Sequence, residues 1–558
     1  MPLALPVGHA KAHRGLVLVL VAIVGFLALG GVEAWNDSAT FDEPVYVSSG
    51  VAALLHHDVV DNEEHPPLFK VLAALPVLAV SPVVPSDGHW DVNNERSYSA
   101  RFVEAQVRAG TFHRVTVAAR LVPLLECALL ALALYALGSL LFGMWAGVVA
   151  ALLWLCNPLV LGIGHLDGVD LPFALTAVLL SLALVHWTRR RDRNALVWLG
   201  LASGATVSAQ STGILLAALA AGVVVVASRR GGLRGWSPWR QSGVMLLVAW
   251  VFVWAPYIII NPSVLTHAWM ILPQPYVEGL RYLATHDTGG SPGFLIGASW
   301  TGVNVWFWPA TLLVKLTAPV LILFIAGPLI LVGLVRRNRV PRSTWHQTVL
   351  AVAVPAVILF VFELPNPRTL GVRYLLPSIA LWTVLASPVA LVAGRRLMAA
   401  ALGVLLVTAG ALTAASFPHS IAYTAAPFRP GYRVATDSNI DWGQDFTLLV
   451  SWSRGRDPLV AYFGPRGITA ADIPGARPLS GVPPHDVSGW VAASASDLTS
   501  AERRSLAWLR GYCPVGMLGG SILVYHFTSP PTGVPGPATP APLCDGGASR
   551  RSVTAGAS

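Results

Sequence analysis

Charged residues are scarce. Asp, Glu, Lys and Arg make up only 12% of the 558 residues, whereas 54% are hydrophobic, and the mean hydropathy of +0.61 lies well outside the range of soluble globular proteins. A chain of this composition cannot keep its apolar surface out of water by itself, which excludes a freely soluble protein. Cysteine is scarcer still, with four residues. Neither a His-Glu-x-x-His stretch nor a pair of cysteines at metal-binding spacing occurs, so no recognisable zinc framework is present. The net charge of +9 is divided into short clusters between apolar runs. With no basic stripe and no interleaved aromatics, nucleic acid is excluded as a partner. No internal repeat relates two halves of the chain, which counts against a solute or lipid transporter.

What is present is a succession of apolar runs, each near the roughly 20 residues that cross about 30 Å of hydrocarbon. The first, near 15–32, follows Lys11, His13 and Arg14. It is expected to be a retained anchor, although a cleaved signal peptide has the same charge layout. Further spans are expected near 115–141, 145–163, 171–187, 195–209, 212–227, 243–260, 306–335, 347–364, 373–393 and 397–415, about eleven in all. Gln210, Ser211 and Thr212 are taken as a turn between two short spans, because losing one crossing spoils the charge pattern. With a cytoplasmic N-terminus, Arg189 to Arg193, Arg229 to Arg240, Arg336 to Arg342 and Arg395 with Arg396 all lie on the cytoplasmic side.

The same topology gathers the unusual polar stretches on the opposite side, the argument for an outward-facing active site. These are a first loop over 34–114, the Gly164–Asp170 turn, a loop over 261–304, the Asn366–Tyr374 turn and the C-terminal region. Within the first loop, Tyr98 to Arg114 reads as a helix lying on the membrane surface. The expected organisation is a multi-pass membrane module over 1–415, then an extracytoplasmic domain over 416–527, whose alternating PLVAYFG and ILVYHF runs predict a small α/β or mostly β fold. Residues 528–558, rich in Pro, Gly, Ala and Ser, form a tail of low intrinsic order.

The chemistry-bearing residues concentrate in Asp37 to Lys70. Asp42 lies about ten residues past the first span, close enough to the membrane to meet a lipid-linked head group, and suits a general base whose pKa its neighbour Glu43 would raise. Pro44 offers the alternative that Asp42 only caps a helix. Asp167 and Asp170 flank the second outer turn beside His165, and Asp170 could instead cap the helix that follows. Lys315 sits in an apolar run where an ammonium calls for a partner such as a phosphate, or snorkels to the surface. Arg373 and Tyr374 open another span at the outer face, and a guanidinium fork suits phosphate oxygens. Arg120 either binds phosphate or, as expected, pairs with Glu126. His56, His57, Asp58, Asp61, Glu63, Glu64 and His65 are candidate ligands for a divalent metal, at no specific spacing. Cys127 and Cys156 read as apolar packing residues; Cys513 and Cys544, both on the outer side, are expected to form a disulfide.

These stretches together carry a family resemblance. FDEPVY at Phe41–Tyr46, EHPPLFK at Glu64–Lys70, GVDLPF at Gly168–Phe173, LLVKLTAP around Lys315, GVRYLLP at Gly371–Pro377 and DSNIDWGQD at Asp437–Asp445 resemble the polyprenyl-phosphate-sugar-dependent glycosyltransferases of the GT-C fold. The similarity is strongest to the bacterial protein O-mannosyltransferase-like group, which is related to the aminoarabinose transferases. The resemblance implies inverting transfer of a sugar, with mannose expected, from a polyprenyl phosphate to a hydroxyl on a protein, glycan or lipid outside the cytoplasm. It implies Asp42 as the base, Glu43, Glu64 and Asp170 as groups placing acceptor and donor, and His65, Lys315, Arg373 and Tyr374 at the phosphate, with Lys70 and Asp167 in the same substrate site. It implies no certain cofactor. Relatives often carry a lysine where this chain has SAQSTG at Ser208–Gly213, which leaves the donor contacts of that region open.

Overall fold

A computed structural model describes residues 9–85, 95–286, 290–499 and 501–531, the side chains of 9–13, 286 and 501–504 excepted. The first apolar run forms α1 (His9–Asn36). The outer loop that follows is itself folded, as α2 (Glu43–His56), α3 (Pro67–Ala79), α4 (Glu95–Ala109) and α5 (Phe112–Ala119). α2 and α3 cross so closely that a Cβ at Gly50 would collide with the Lys70 carbonyl, so only glycine fits there. Tyr98 and Phe102 of α4 are buried, and Phe102 packs on Val47, Val51 and Val115. The single helix expected over Tyr98–Arg114 is instead broken at Gly110, whose φ is +68°, and the chain beyond it turns into the next span.

The bundle continues through α6 (Leu121–Phe142), α7 (Met144–Leu155), α8 (Pro158–Ile163), α9 (Asp170–Arg190), α10 (Arg193–Ala209), α11 (Gly213–Arg229) and α12 (Pro238–Ile260). A second outer segment carries α13 (Gln274–His286) and the hairpin β1 (Pro292–Leu295) and β2 (Ala298–Thr301). α14 (Phe307–Lys315), α15 (Ala318–Arg336), α16 (Arg342–Thr348), α17 (Val354–Glu363), α18 (Leu376–Ala386) and α19 (Arg396–Ser416) complete it. Among the described residues, eight helices are long and apolar enough to cross a membrane. The other three expected crossings are shorter: α7 with α8, and the 17-residue α10 and α11.

Two breaks matter for the site. α10 and α11 are separate, as expected, because Gln210 is fully extended (φ −156°, ψ 147°) and ends the first of them. The run over 306–335 is not one helix: Leu316 and Thr317 are extended and Pro319 opens α15, so Lys315 is the last residue of α14.

The basic clusters meet at one end of the bundle, where Arg189 donates to Gln347, Arg191 to the Ala227 carbonyl, and Arg193 lies over Trp236. α9 runs from that end to Asp170. Its 21 residues span roughly 30 Å at 1.5 Å per residue, so the outer turns sit a membrane thickness away from the arginines.

After α19 the chain lies across the outer turns, then forms α20 (Phe446–Ser453) and a mixed five-stranded sheet ordered β4 (Arg477–Pro478), β3 (Leu459–Ala461), β5 (Gly489–Ser494), β7 (Ile522–Phe527) and β6 (Gly516–Leu518). β3 pairs in parallel with β4 and β5, and β7 antiparallel with β5 and β6. α21 (Ala495–Thr499) follows β5, and Val491, Ala493, Trp508, Leu509 and Tyr525 fill the core on one face. The sheet answers the expected α/β character. Cys127 and Cys156 are free thiols and Cys513 is in a disulfide. Its expected partner Cys544, like the tail from 532 onward, lies outside the described residues.

Candidate active site

A cavity of about 550 Å³ opens where α2, α9, the α10–α11 turn, α13 and the Glu363–Tyr374 turn converge. Asp42 is on its wall. The residue precedes α2, and its side chain caps no backbone N–H, so the helix-cap alternative is not what the geometry adopts. Its Oδ2 accepts from Arg373 Nη2 at 2.7 Å, while Arg373 Nη1 is 3.5 Å from Asp170 Oδ2. Arg373 is itself 3% exposed. Its guanidinium lies 4.2 Å from the ring centroid of Trp442 and 5.0 Å from that of Tyr374, a setting that holds a planar cation but not a mobile ammonium. Arg373 Nε has no hydrogen-bond partner among the described residues.

Glu64 and His65 form the adjoining wall with Tyr374. Glu64 Oε2 lies 3.4 Å from Arg368 Nη1 and Oε1 lies 3.6 Å from His65 Nε2. Burial raises the Glu64 pKa, but His65 and Arg368 outweigh it and hold the carboxyl below its usual range. Burial pushes His65 the other way, down to about 4 despite Glu64, so at physiological pH this imidazole is neutral and can accept a hydrogen bond, and Arg368 is the charge that faces Glu64.

Of the expected site residues, Asp42, Glu64, His65, Arg373 and Tyr374 line the cavity, and Asp170 reaches it through Arg373. The others do not, and each is held elsewhere. Glu43 points away from Asp42 and pairs with Arg120, whose Nε and Nη2 donate to its two oxygens at 2.8 and 2.7 Å. The remaining Arg120 protons go to the carbonyls of Ala34, Asp37 and Ser38. Arg120 therefore pairs with Glu43 and not with the expected Glu126, because the chain after α1 folds back over α6. Burial pushes Glu43 up, yet Arg120 holds it below the usual carboxylate range. Asp167 is buried behind this pair, its N–H donating to Glu43 Oε1 at 3.1 Å, and burial with the nearby Glu43 charge pushes its carboxyl well up.

The two lysines are corrected in the same way. Lys315 Nζ is buried and donates to the carbonyls of Ile421, Tyr423 and Asn439 at 2.8, 2.6 and 2.5 Å. Ending α14 at Lys315 swings its ammonium under the 420–440 segment and away from the cavity. Lys70 Nζ donates to the carbonyl and side chain of Asn62 at 2.7 and 3.2 Å, closing the turn between α2 and α3. Three of the candidate metal ligands of the first loop are engaged within the protein: Asp61 accepts from Ser49, Asp58 from the Val60 N–H, and His57 bonds the Ile260 carbonyl. Among the described residues no three His, Cys, Asp or Glu side chains gather as a metal-binding group.

Several cavity residues were not singled out for chemistry. Arg368, Asn366 and Glu363 come from the outer turn and the end of α17, Asn62, Glu95 and Arg96 from the first loop, and Leu280, Leu283 and Ala284 from α13. Gln210, Ser211 and Thr212 also line it, so the region whose donor contacts were open does face the cavity, with neutral polar groups in place of a lysine. The distinctive DSNIDWGQD stretch serves the site from behind. Trp442 covers Arg373, Asn439 Oδ1 accepts from Val372 N–H at 3.0 Å, and Ser438 bonds the Leu370 carbonyl.

Residues 108–257 match the profile of the family described as dolichyl-phosphate-mannose-protein mannosyltransferase. The family resemblance is borne out over that segment. The matched segment contains Arg120, Asp167, Asp170 and the Gln210–Thr212 turn, whereas Asp42, Glu64 and Arg373 lie outside it. Comparison with curated proteins finds no match. Among solved structures, ArnT from Cupriavidus metallidurans bound to undecaprenyl phosphate is similar at 18% identity, over 68% of this chain and 60% of that one, with a TM-score of 0.40. The Archaeoglobus fulgidus oligosaccharyltransferase in its apo form is similar at 14% identity, over 91% and 74%, with a TM-score of 0.46. The S. cerevisiae protein O-mannosyltransferase Pmt1-Pmt2 complex bound to the sugar donor is similar at 16%, over 51% and 39%, with a TM-score of 0.29. The chain spans about three-fifths of the length of the ArnT chain it matches.

Proposed function

We propose that this protein is a membrane glycosyltransferase that moves a sugar, mannose in our reading, from a polyprenyl phosphate to a hydroxyl acceptor at the extracytoplasmic face. The observation that carries this reading is the placement of Asp42 on a 550 Å³ cavity beside Arg373 and Asp170. The cavity opens at the end of the bundle opposite the arginine clusters, which supports an outward site under the positive-inside rule.

In this reading the acceptor O–H donates to Asp42, whose Oδ1 has no hydrogen-bond partner among the described residues. The acceptor oxygen attacks the anomeric carbon, the bond from that carbon to the phosphate oxygen breaks, and the proton passes to Asp42. Attack opposite the leaving group inverts the configuration. The polyprenyl phosphate gains charge as it leaves, and the Arg373 guanidinium, which lines the cavity beside Asp42, supplies a fixed positive charge to offset it. Arg368, His65 and Tyr374 complete that side. Asp170 holds the other edge of Arg373, and Glu64 orients Arg368. The two lysines and Glu43 with Asp167 build the frame and touch neither substrate.

The test is to incubate the purified full chain with polyprenyl-phosphate mannose and a panel of peptide, glycan and lipid alcohols, and to identify products by mass. A hexose added to a hydroxyl acceptor by the wild-type chain and not by Asp42→Asn is the expected result. No transfer from any polyprenyl-phosphate sugar overturns the proposal.

A further inference from the structure

One part of the cavity wall is left without a task by this mechanism. Glu363, the last residue of α17, is 7% exposed and lines the cavity. Its Oε2 accepts from Asn366 Nδ2 at 2.7 Å, and among the described residues neither a cation nor a second donor reaches the carboxylate. Asn366 is fixed in turn, its Oδ1 accepting from the Arg368 N–H at 2.8 Å. Gln210, Ser211 and Thr212 line the same cavity, and their side chains make no hydrogen bond among the described residues. Their backbones do: Gly213, Ile214 and Leu215 N–H close the turn onto the carbonyls of 210, 211 and 212 at 2.9 to 3.1 Å. The turn is held by its main chain alone, and its polar side chains are left to the cavity.

Gln210, Ser211 and Thr212 are half-buried, and Glu363 is bonded at only one of its two oxygens, so this wall offers donors and acceptors to a polar ligand that enters the cavity. A phosphate is unsuited to it, because among the described residues no cation reaches Glu363, and the guanidiniums that line the cavity belong to Arg96, Arg368 and Arg373. A hydroxylated sugar ring suits it. Each sugar hydroxyl both donates and accepts, so a carboxylate takes protons from it while Gln, Ser and Thr serve either role.

We propose that Glu363 and the Gln210–Thr212 turn form the subsite for the sugar ring of the donor, distinct from the arginine side that takes its phosphate. The assignment rests on the function proposed above. It makes Glu363 a residue that determines recognition of the transferred group, binding it without taking part in proton transfer.

The experiment compares the affinity of the full-length protein for two ligands, polyprenyl phosphate without sugar and polyprenyl-phosphate hexose. Glu363→Gln keeps the volume and replaces one acceptor oxygen with an amide donor. It is expected to weaken binding of the hexose-bearing lipid by about 5- to 10-fold, as for a lost hydrogen bond, and to leave binding of the bare lipid phosphate within about 2-fold. The Ser211→Ala, Thr212→Val double variant, which leaves the main-chain turn intact, should show the same split with a loss of about 5-fold. Equal affinity of wild type and both variants for the hexose lipid overturns the subsite, and so does an equal loss for both ligands in either variant. Failure of the wild-type chain to bind either lipid overturns the glycosyltransferase reading itself.

Discussion

Arg373 holds two carboxylates with one guanidinium, Asp42 at 2.7 Å and Asp170 at 3.5 Å, while its plane is covered by Trp442. Asp42 is thereby fixed at one oxygen and open at the other, with its side chain 23% exposed toward the cavity. A base that is aimed but not consumed by its partner is what proton abstraction from an acceptor hydroxyl needs.

Asp42→Asn keeps the shape of the side chain and its hydrogen bond to Arg373 but cannot take a proton. The transfer rate should fall about 10²- to 10⁴-fold, the usual worth of a general base, with donor affinity within a few-fold of wild type. Single-turnover kinetics and direct donor binding on the same preparation check both halves, and near-normal turnover rejects Asp42 as the base.

Arg373→Lys retains charge and loses the fork and the stacking plane. An ammonium cannot span Asp42 and Asp170 or lie flat on Trp442, so transfer should fall about 10- to 100-fold and donor affinity should weaken. Arg373→Ala leaves the buried Asp170 and the part-exposed Asp42 without their shared cation and should cost stability as well, about 3 kcal/mol. Equal thermal stability and donor affinity of Arg373→Ala and wild type would remove the arginine from the site.

Lys315→Met separates the structural assignment from the expected phosphate role. Three carbonyls lose a shared donor, each left short at a cost of about 1 to 3 kcal/mol, so the melting temperature in detergent should drop by several degrees or more. The fraction that stays folded should bind polyprenyl phosphate normally. A stable variant with weak lipid binding would restore Lys315 to the donor.

Much of the site was legible because its markers are local. An acidic pair after a span, a charged turn between apolar runs and an arginine at a span mouth can be read along the chain, and Asp42, Glu64, His65, Asp170, Arg373 and Tyr374 all fall at the cavity or on its central arginine. The direction in which a side chain turns is not local. Asp42 and Glu43 are adjacent, yet one faces the cavity and the other faces α6, because α2 begins between them. Lys315 looked like an intramembrane charge until the break before Pro319 put it at a helix end. Arg120 is matched in the sequence to Glu126, six residues on in the same span, whereas its partner arrives from 77 residues earlier. Glu363 and the Gln210–Thr212 turn are ordinary boundary residues in the sequence; only the folding of the chain brings them to the same cavity as Asp42 and Glu64.

The first loop should be pH-sensitive. Burial first, then the neighbouring Glu278, raises the Glu63 pKa to about 7, with Lys70 opposing, and burial with Glu64 raises Glu95 to about 7. Both groups are raised above their unfolded values, so their contribution to stability is fully present below about pH 4.5 and is lost as pH rises through 7. His65, depressed to about 4 by burial, acts in the opposite sense below about pH 6.5, adding stability that is lost as pH falls toward 4. The carboxylates should therefore dominate between pH 6 and 8, where the melting temperature is expected to decline. Glu63→Gln should flatten that decline. An unchanged slope in the variant would show that Glu63 titrates normally.

The Glu43–Arg120 pair offers the test of the frame behind Asp42. Both side chains are essentially inaccessible, and Arg120 ties Glu43 to the carbonyls of Ala34, Asp37 and Ser38, so one cation sets the path of the chain from α1 into α2. Removing either partner leaves a buried charge unpaired and should cost about 3 to 5 kcal/mol. Replacing both with apolar residues of similar size should cost less than the sum, because no charge is stranded, although the Arg120 carbonyl contacts are still lost. A double-mutant cycle of Glu43→Gln, Arg120→Met and the combination, followed by denaturation in detergent, should give a coupling energy of a few kcal/mol. Activity should follow the frame: single variants that remain folded should lose kcat with little change in donor affinity, since Asp42 is displaced while the arginine side of the cavity is not. Additive stability effects would mean that the two residues act independently, and a loss of donor affinity equal to the loss of kcat would place Glu43 at the substrate after all.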